Sequence, residues 1–257
     1  MTIKRYYIGK VGISAVTMDD AIRLLENQAR LGTSTYVCVA NIRVVVICQK
    51  DEELCRIQNN SFLTLPDGMP LVWFARLEGI DYVERVTGPD IMTEVLQLSD
   101  SKGYTHYLLG DTEETLAKIK TVVRDRFRGV KIVGALSTPF RPLIETDISS
   151  IADEINQLRP TFVWIALGAP KQERVMAKLF PRVDGSILIG VGAAFRFLLG
   201  EYKHPPKLFQ LCGLEGVFWR FRKNPLREAW WYCRHIPWVG YFLLLALCMR
   251  IGKKTNV

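Results

Sequence analysis

The sequence lacks the marks of several protein classes. Its six cysteines form no C-x-x-C pair, and its three histidines are scattered without the spacing of metal ligands. Several of the cysteines lie in apolar runs, where a free thiol behaves as a small hydrophobic group, so we expect a reducing compartment and no disulfide framework. There is also no P-loop and no D-x-D acidic pair of the kind that often holds a metal against a nucleotide diphosphate. The sequence therefore predicts neither a metal site nor a bound cofactor.

Long uncharged runs are scarce as well. The uncharged run at residues 236–249 is shorter than the roughly 20 apolar residues that a membrane-spanning helix needs. Its aromatic start and the basic residues after it favour a helix that lies in the membrane interface. The alternative is a helix packed on the core or on a partner subunit. The first residues lack the apolar segment of a secretory signal, so we expect a cytoplasmic protein.

Positive charge is concentrated late in the sequence. The formal net charge is +8, and the segment from Lys203 to Arg234 is rich in lysine, arginine and aromatic residues. Such a segment favours an anionic partner, either nucleic acid or lipid, and the uncharged run beyond it favours lipid. We therefore expect an α/β catalytic core at residues 1–200 and a basic, aromatic appendage at residues 201–257 that associates with the inner face of the cell membrane. No nucleic acid is expected to bind.

Strand-like runs alternate with helical patterns along the expected core. Continuous apolar strands that alternate with helices predict an α/β fold, with a Rossmann-like, mostly parallel sheet and helices on both faces. Ligands bind such a sheet at the carboxyl ends of its strands, so each junction between a strand and a helix is a candidate site. The predicted strands are residues 35–40, 105–110, 130–135, 162–167 and 186–192, the predicted helices are residues 17–29, 111–127, 147–158 and 169–180, and residues 41–49 are helical or mixed.

The stretch "FLTLPDGMPLV", residues 62–72, breaks an apolar run with Asp67 and Gly68. The tripeptide "PDG" is typical of a reverse turn in which the glycine supplies a positive φ. Asp67 also follows a predicted strand, where apolar neighbours would raise its proton affinity, as a general base requires. A turn residue and a catalytic base are therefore both consistent with this position.

Two further junctions carry polar or glycine motifs. In "GAPKQE", Gly168 permits close approach of a ligand to the backbone, Gln172 is suited to donate to a sugar hydroxyl or a phosphate oxygen, and Glu173 stands near the positive end of a helix. Ordinary helix initiation explains this motif equally well. In "IGVGAAFRFLLG", Gly190 and Gly192 form a G-x-G whose backbone N–H groups are suited to a diphosphate.

The G-x-G also raises the alternative of a nicotinamide-dependent oxidoreductase. The third glycine of the dinucleotide fingerprint is replaced, and no acidic ribose ligand follows about 20 residues later. That alternative is therefore weak. Arginines can neutralise a diphosphate without a metal, because guanidinium forks match phosphate oxygens. The candidates are Arg85, Arg220, Arg222 and Arg227, although each alone is typical of a solvated surface charge.

Six short motifs, taken in order, resemble those of the WecG/TagA/CpsF glycosyltransferases, glycosyltransferase family 26. They span nearly the whole chain, and their order is more specific than any one of them. They are Asn41 after a strand, "PDG" at 66–68, "RVTGPD" at 85–90, "GAPKQE" at 168–173, "GVGAAFRFLLG" at 190–200 and "GLE....R.R..P" from Gly213 to Pro225.

The resemblance implies an inverting glycosyltransferase. It would take a sugar, such as N-acetylmannosamine, its uronate or glucose, from a UDP-sugar donor. The sugar would pass to a polyprenyl-diphosphate-linked acceptor at the cytoplasmic membrane face, in cell-surface polysaccharide or teichoic acid synthesis. Asp67 would be the base, and the appendage would close over the site and dock on the membrane. The implied substrate-binding residues are Asn41, Gly68, Arg85, Asp90, Gly168, Gln172, Glu173, Gly190, Gly192, Arg220 and Arg222.

This sequence departs from the family pattern at several positions. Val39 stands where the family usually has threonine, Arg196 where it has aspartate, and Gly216 where it has tryptophan, while His204-Pro205-Pro206 replaces "RAP". These changes leave the donor and the acceptor open. They also leave open a non-catalytic nucleotide-binding subunit of a polysaccharide-assembly complex, and they do not determine whether the protein forms a homo-oligomer.

Overall fold

The computed structural model describes residues 3–203 and eight isolated positions beyond them, which are Pro206, Phe209, Pro225, Leu226, Ala229, Trp230, Pro237 and Gly240. In this part of the chain a six-stranded parallel sheet is flanked by helices on both faces, which confirms the predicted fold class. The predicted appendage, including Arg220, Arg222 and most of the run at 236–249, lies outside the described residues apart from residues 201–203 and the isolated positions. No described helix has the length and apolar content needed to span a membrane.

The predicted strands and helices are all present, and the structure adds helices at residues 52–60, 69–77 and 88–102 that were not predicted. In the described part the strands are β1 Arg5–Ile8, β2 Val11–Ser14, β3 Thr35–Ala40, β4 Leu63–Pro66, β5 Thr105–Gly110, β6 Lys131–Leu136, β7 Phe162–Ala166 and β8 Ile187–Gly190. The helices are α1 Met18–Leu31, α2 Ile42–Cys48, α3 Glu52–Asn60, α4 Met69–Leu77, α5 Gly88–Lys102, α6 Glu113–Arg126, α7 Glu145–Leu158, α8 Lys171–Leu179 and α9 Ala194–Leu198.

Local sequence signals explain where the first helix begins and ends. The Thr17 hydroxyl accepts from the Asp20 backbone N–H, and the Asp20 carboxylate accepts from the Thr17 N–H, so the two residues form a capping box. Gly32 ends the helix in the left-handed region, with φ of 62°. The helix therefore begins where the sequence predicts and runs two residues further, to Leu31.

The main sheet has the strand order β4-β3-β8-β7-β5-β6, with every neighbouring pair parallel. Alternate side chains enter two cores. On one face Val37, Trp164 and Ile189 pack beneath α1, α5, α6 and α9, and on the other face Cys38 and Leu188 pack beneath α3, α7 and α8. Since each large apolar side chain that is fully buried contributes about 1.5–3 kcal/mol, these cores fix the sheet and hence the positions of the strand ends.

The sequence analysis missed the antiparallel hairpin of β1 and β2. With α2, α3 and α4, the hairpin builds a third apolar core beside the edge strand β4. The Thr64 N–H donates to the Ser14 hydroxyl at 3.0 Å, so the hairpin covers the open edge of β4. The available signal was short: a two-residue loop, Gly9-Lys10, between two strands of four residues.

Candidate active site

The carboxyl ends of the six parallel strands meet at one edge of the sheet. In spatial order this edge carries Asp67 after β4, Asn41 after β3, the loop of Gly192 after β8, the loop of Gly168 after β7, and Asp111 after β5. Because neighbouring strands lie about 4.8 Å apart, the ends of β4 and β8 are separated by roughly 10 Å. That span suits a cleft for a small substrate.

Asp67 occupies the turn between β4 and α4. Its backbone N–H donates to the Ala40 carbonyl at 2.8 Å and so ties the residue to the end of β3. Gly68 then adopts φ of 114°, a conformation that L-residues rarely reach, and α4 starts at Met69 with Pro70 in its first turn. The structure thus confirms the turn and places the half-buried aspartate at the strand end.

Asn41 caps α2 at the neighbouring strand end. Its side-chain oxygen accepts the backbone N–H groups of Arg43 and Val44 at 3.1 and 3.2 Å, which satisfies two donors at the helix start. The amide nitrogen of Asn41 makes no hydrogen bond to the described residues. The capping bonds orient the amide as a whole, so this donor has a fixed position at the edge.

Arg85 lies beside the end of β4 because the next residue is anchored there: the Val86 N–H donates to the Pro66 carbonyl at 2.9 Å. Asp90 holds the guanidinium, with 3.3 Å between Arg85 Nη2 and Asp90 Oδ2. The same carboxylate oxygen accepts from the Thr87 hydroxyl at 2.7 Å. The described contacts of Asp90 therefore position Arg85 and the start of α5.

The start of α5 also packs against the loop after β8. A β-carbon added to Gly88 would lie 2.5 Å from the Val191 carbonyl oxygen, closer than real contacts allow. Residues 85–88 therefore reach from the end of β4 to the end of β8 and pass the end of β3 between them. Arg85, Asn41 and Asp67 are thus brought to the same part of the edge.

Gln172 joins the loops that follow β7 and β8. Its side-chain oxygen accepts from the Gly192 N–H at 3.0 Å, and its nitrogen donates to Glu173 Oε1 at 3.2 Å. Only 3% of the residue is exposed. The contacts of Gln172 in the structure are therefore with protein groups, whereas the sequence analysis assigned its amide to a substrate.

Glu173 is a fully buried carboxyl group on the same helix. Burial raises its pKa to about 7, because the charged form loses its hydration. One oxygen accepts from Gln172, and the other, Oε2, has no hydrogen-bond partner among the described residues. Direct contact with a substrate is predicted for Glu173, but in the structure the residue lies beneath the edge.

The glycines of the G-x-G have different structural roles. A β-carbon at Gly190 would lie 2.8 Å from Met176 Cε, so this glycine allows α8 to approach β8. Gly192 has φ of 57° and gives its N–H to Gln172. The N–H groups of residues 191 and 194 are also paired with protein carbonyls, at 2.9 and 3.2 Å. Three amides of the predicted diphosphate loop are therefore engaged within the protein.

An ion pair between Asp111 and Arg196 was not predicted. The guanidinium meets the carboxylate in a fork, with Nε to Oδ2 at 3.0 Å and Nη2 to Oδ1 at 2.6 Å, and its Nη1 lies 2.7 Å from Glu201 Oε2. Arg196 is the residue that replaces the aspartate of the family pattern. The signal in the sequence was an acidic residue at the end of one strand and a basic residue shortly after the end of another, 85 positions apart.

The structure is an α/β fold in which helices enclose a parallel sheet. A carboxylate, an amide and a guanidinium gather at the carboxyl edge of this sheet, which is the edge where enzymes of this fold class bind their ligands. The model of the Glycosyl transferase WecG/TagA/CpsF family matches residues 6–254. The chain belongs to this family, which confirms the resemblance that its motifs indicated.

Two relatives share most of the chain. The N-acetylglucosaminyldiphosphoundecaprenol N-acetyl-beta-D-mannosaminyltransferase of Bacillus subtilis (strain 168) is 26% identical over 222 residues, covering 85% of this chain and 81% of that protein. A protein of the same name from Bacillus spizizenii (strain ATCC 23059 / NRRL B-14472 / W23) is 27% identical over 195 residues, covering 75% and 72%. The similarity therefore extends well beyond a single motif.

The buried Glu173 predicts a specific dependence of stability on pH. Its pKa is about 7 in the folded protein against an ordinary value of 4.5, so between these values the folded chain keeps a proton that the unfolded chain releases. The stability contributed by this group is complete below pH 4.5 and is lost as the pH rises to about 7, by about 3 kcal/mol. Glu173→Gln should remove this part of the decline. The measurement is the free energy of unfolding by denaturant at pH 5 and at pH 8.

The exposed Glu113→Gln provides the control, because it changes the same charge on the surface of α6. It should reproduce the pH dependence of the wild type. If the free energy of unfolding depends on pH in the same way for the wild type and Glu173→Gln, burial does not raise the pKa of Glu173.

Proposed function

We propose that the protein is an inverting glycosyltransferase that moves an N-acetylmannosamine-like sugar from a UDP-sugar to a polyprenyl-diphosphate-linked sugar. Family membership supports transfer of a sugar. The names of the two Bacillus relatives specify an N-acetylmannosaminyl group and a diphosphoundecaprenol acceptor. A uronate or glucose as the donated sugar stays open, given the departures from the family motifs. The observation that carries the proposal is the position of Asp67 at the carboxyl edge beside Asn41 and Arg85.

Asp67 is the general base in this mechanism. Its carboxylate removes the proton from an acceptor hydroxyl, and the resulting oxygen attacks the anomeric carbon of the donor. A new C–O bond forms on one face while the bond to UDP breaks on the opposite face, so the configuration inverts. The proton remains on Asp67 and the bonding electron pair leaves with the diphosphate.

The other edge residues bind the donor. Arg85, held by Asp90, pairs with the departing diphosphate, and Arg220 and Arg222 of the appendage add to the charge that neutralises it. The amide nitrogen of Asn41 donates to the sugar or the phosphate. The backbones at Gly68 and Gly168 allow close approach, since neither carries a side chain.

Gln172 and Glu173 act indirectly in this proposal. Gln172 fixes Gly192 and thereby the loop after β8, and Glu173 holds the Gln172 amide in the orientation that accepts the Gly192 N–H. Gly190 contributes by letting α8 pack close beneath this loop. The floor of the donor site is therefore built from side chains that do not themselves need to contact the substrate.

Asp67→Asn tests the base directly. The amide cannot accept the proton, so transfer to a synthetic lipid-diphosphate-sugar acceptor should fall by about 100- to 10,000-fold, with donor affinity and thermal midpoint nearly unchanged. UDP release and the mass of the product measure the reaction. Asp153→Asn, on the exposed side of α7, is the matched control and should retain activity. Turnover of Asp67→Asn at the wild-type rate would refute the assignment.

The same assay separates a catalyst from a binding subunit. A wild-type protein that binds the donor but releases no UDP in the presence of any acceptor would favour the non-catalytic alternative. A panel of UDP-sugars then identifies the donor by the mass added to the acceptor.

Neutralisation by arginine predicts transfer without a divalent ion. The described residues contain no group of three or more acidic, histidine or cysteine side chains placed to hold a metal. Transfer should therefore continue at its full rate in excess EDTA, measured against an identical reaction supplied with Mg²⁺. A loss that a divalent ion restores would assign the leaving-group charge to a metal instead.

The basic appendage, residues 201–257, is proposed to bring the site to the lipid-borne acceptor at the inner face of the cell membrane. Replacing Arg220 and Arg222 together by alanine should lower transfer while the thermal midpoint of the core stays constant. A fall in kcat/KM for the lipid-linked acceptor measures the effect. Unchanged kinetics in the double variant would remove these two arginines from the site.

A further inference from the structure

Phe140 is an aromatic residue that the fold leaves fully exposed. It lies in the loop from Ser137 to Ile144, which joins β6 to α7 at the carboxyl edge of the sheet, the edge that carries the candidate active site. Pro139 and Pro142 flank it and restrict the backbone on both sides. The ring is thus presented to solvent on the face of the molecule where the site opens.

Polar contacts hold this loop in place. The Arg141 guanidinium forms a fork with Asp147 on α7, at 2.5 and 3.0 Å, and the same carboxylate accepts the Ile144 N–H at 2.8 Å. From α8, the Lys171 ammonium donates to the Arg141 carbonyl at 3.3 Å. A loop tied to two helices loses little further backbone entropy when it binds, so the position of Phe140 is preorganised.

A groove of about 530 Å³ lies beside Phe140 between this loop and α8. Leu143, Ile148 and Val175 form part of its apolar wall, and Pro170 connects it to the loop of Gly168. The groove is therefore close to the candidate active site but is lined by different side chains.

The rim of the groove is positively charged. Lys171, Arg174 and Lys178 follow one another at spacings of three and four along the same face of α8. Arg174 is neutralised by Asp51 and Glu53. Among the described residues no carboxylate pairs with Lys171 or Lys178, and two uncompensated ammonium groups remain beside the exposed ring.

We propose that Phe140, Lys171, Lys178 and the adjoining groove form a membrane-docking surface that binds an anionic phospholipid bilayer. An aromatic ring that enters the headgroup layer, next to lysines that meet lipid phosphates, is the combination that interfacial binding requires. This surface belongs to the α/β core and acts in addition to the appendage. Docking here turns the carboxyl edge, with Asp67, towards the bilayer.

Cosedimentation of the full chain with vesicles tests the surface. With vesicles of phosphatidylcholine and phosphatidylglycerol, Phe140→Ala should weaken binding by about tenfold, because the ring no longer leaves water. Phe140→Trp should bind as tightly as the wild type. Lys171→Glu with Lys178→Glu should also weaken binding by about tenfold at low salt, and that difference should shrink as the ionic strength rises.

Matched controls lie at the opposite edge of the sheet. Leu31→Ala removes another exposed apolar side chain, and Arg128→Glu with Lys131→Glu reverses two exposed cations at the start of β6. Both should bind the vesicles as the wild type does. Equal weakening in these controls would show that total charge or apolar area controls binding, and it would overturn the assignment to this surface.

Other outcomes also decide the question. Wild-type binding by Phe140→Ala, or equal binding to vesicles of phosphatidylcholine alone, would overturn the proposal. If Phe140→Ala changes the sedimentation velocity of the protein but not its vesicle binding, this face is instead a contact between copies of the chain. The assay requires no sugar transfer, so its failure leaves the proposed function intact, and an inactive enzyme leaves this test valid.

Discussion

The parallel hydrogen bonding of β3 to β4 and to β8 holds the candidate site together. On the β4 side, the last of these bonds runs from the Asp67 N–H to the Ala40 carbonyl, one residue before Asn41. On the other side, Val37 of β3 is in register with Ile189 of β8, which leads into the loop of Gly192. A slip of one residue would turn every side chain of a strand to the other face, so the two cores that fix this register also fix the site.

The edge of the sheet gathers features that cost stability. Asp111 has φ of 61° although it is not glycine, and Glu173 is buried with one oxygen unpaired among the described residues. A strained backbone position of this kind costs on the order of 1–3 kcal/mol. Such costs are typical of functional sites, where the surrounding structure enforces a geometry that the local sequence does not favour.

Much of the fold could be predicted because the strands are buried on both faces and read as continuous apolar runs. The turn at Gly68 was also predictable, since "PDG" specifies its own backbone. The hairpin of β1 and β2 was missed because two strands of four residues give little periodicity. Spacing along the chain does not determine where a side chain points, so the inward bonds of Gln172 were not foreseen. The role of Asp67 stays a prediction that rests on position and family.

The appendage shows a second limit of prediction from sequence. Its composition indicates an affinity for anionic lipid, but composition does not say which residues meet the bilayer. In contrast, the docking surface at Phe140 gives no pattern in the sequence. Its ring lies on a loop and its lysines on a helix, 31 or more positions further along the chain. It emerges only when α8 and the loop before α7 are packed side by side.

The fork between Asp111 and Arg196 has a consequence for the ancestry of the chain. Asp111 alone would be a largely buried carboxylate without its counterion, whereas Arg196 alone would still pair with Glu201. Relatives that carry the acid at the end of β5 should therefore retain this arginine. Comparison of closely related genomes would then find few sequences that have the acid and lack the arginine.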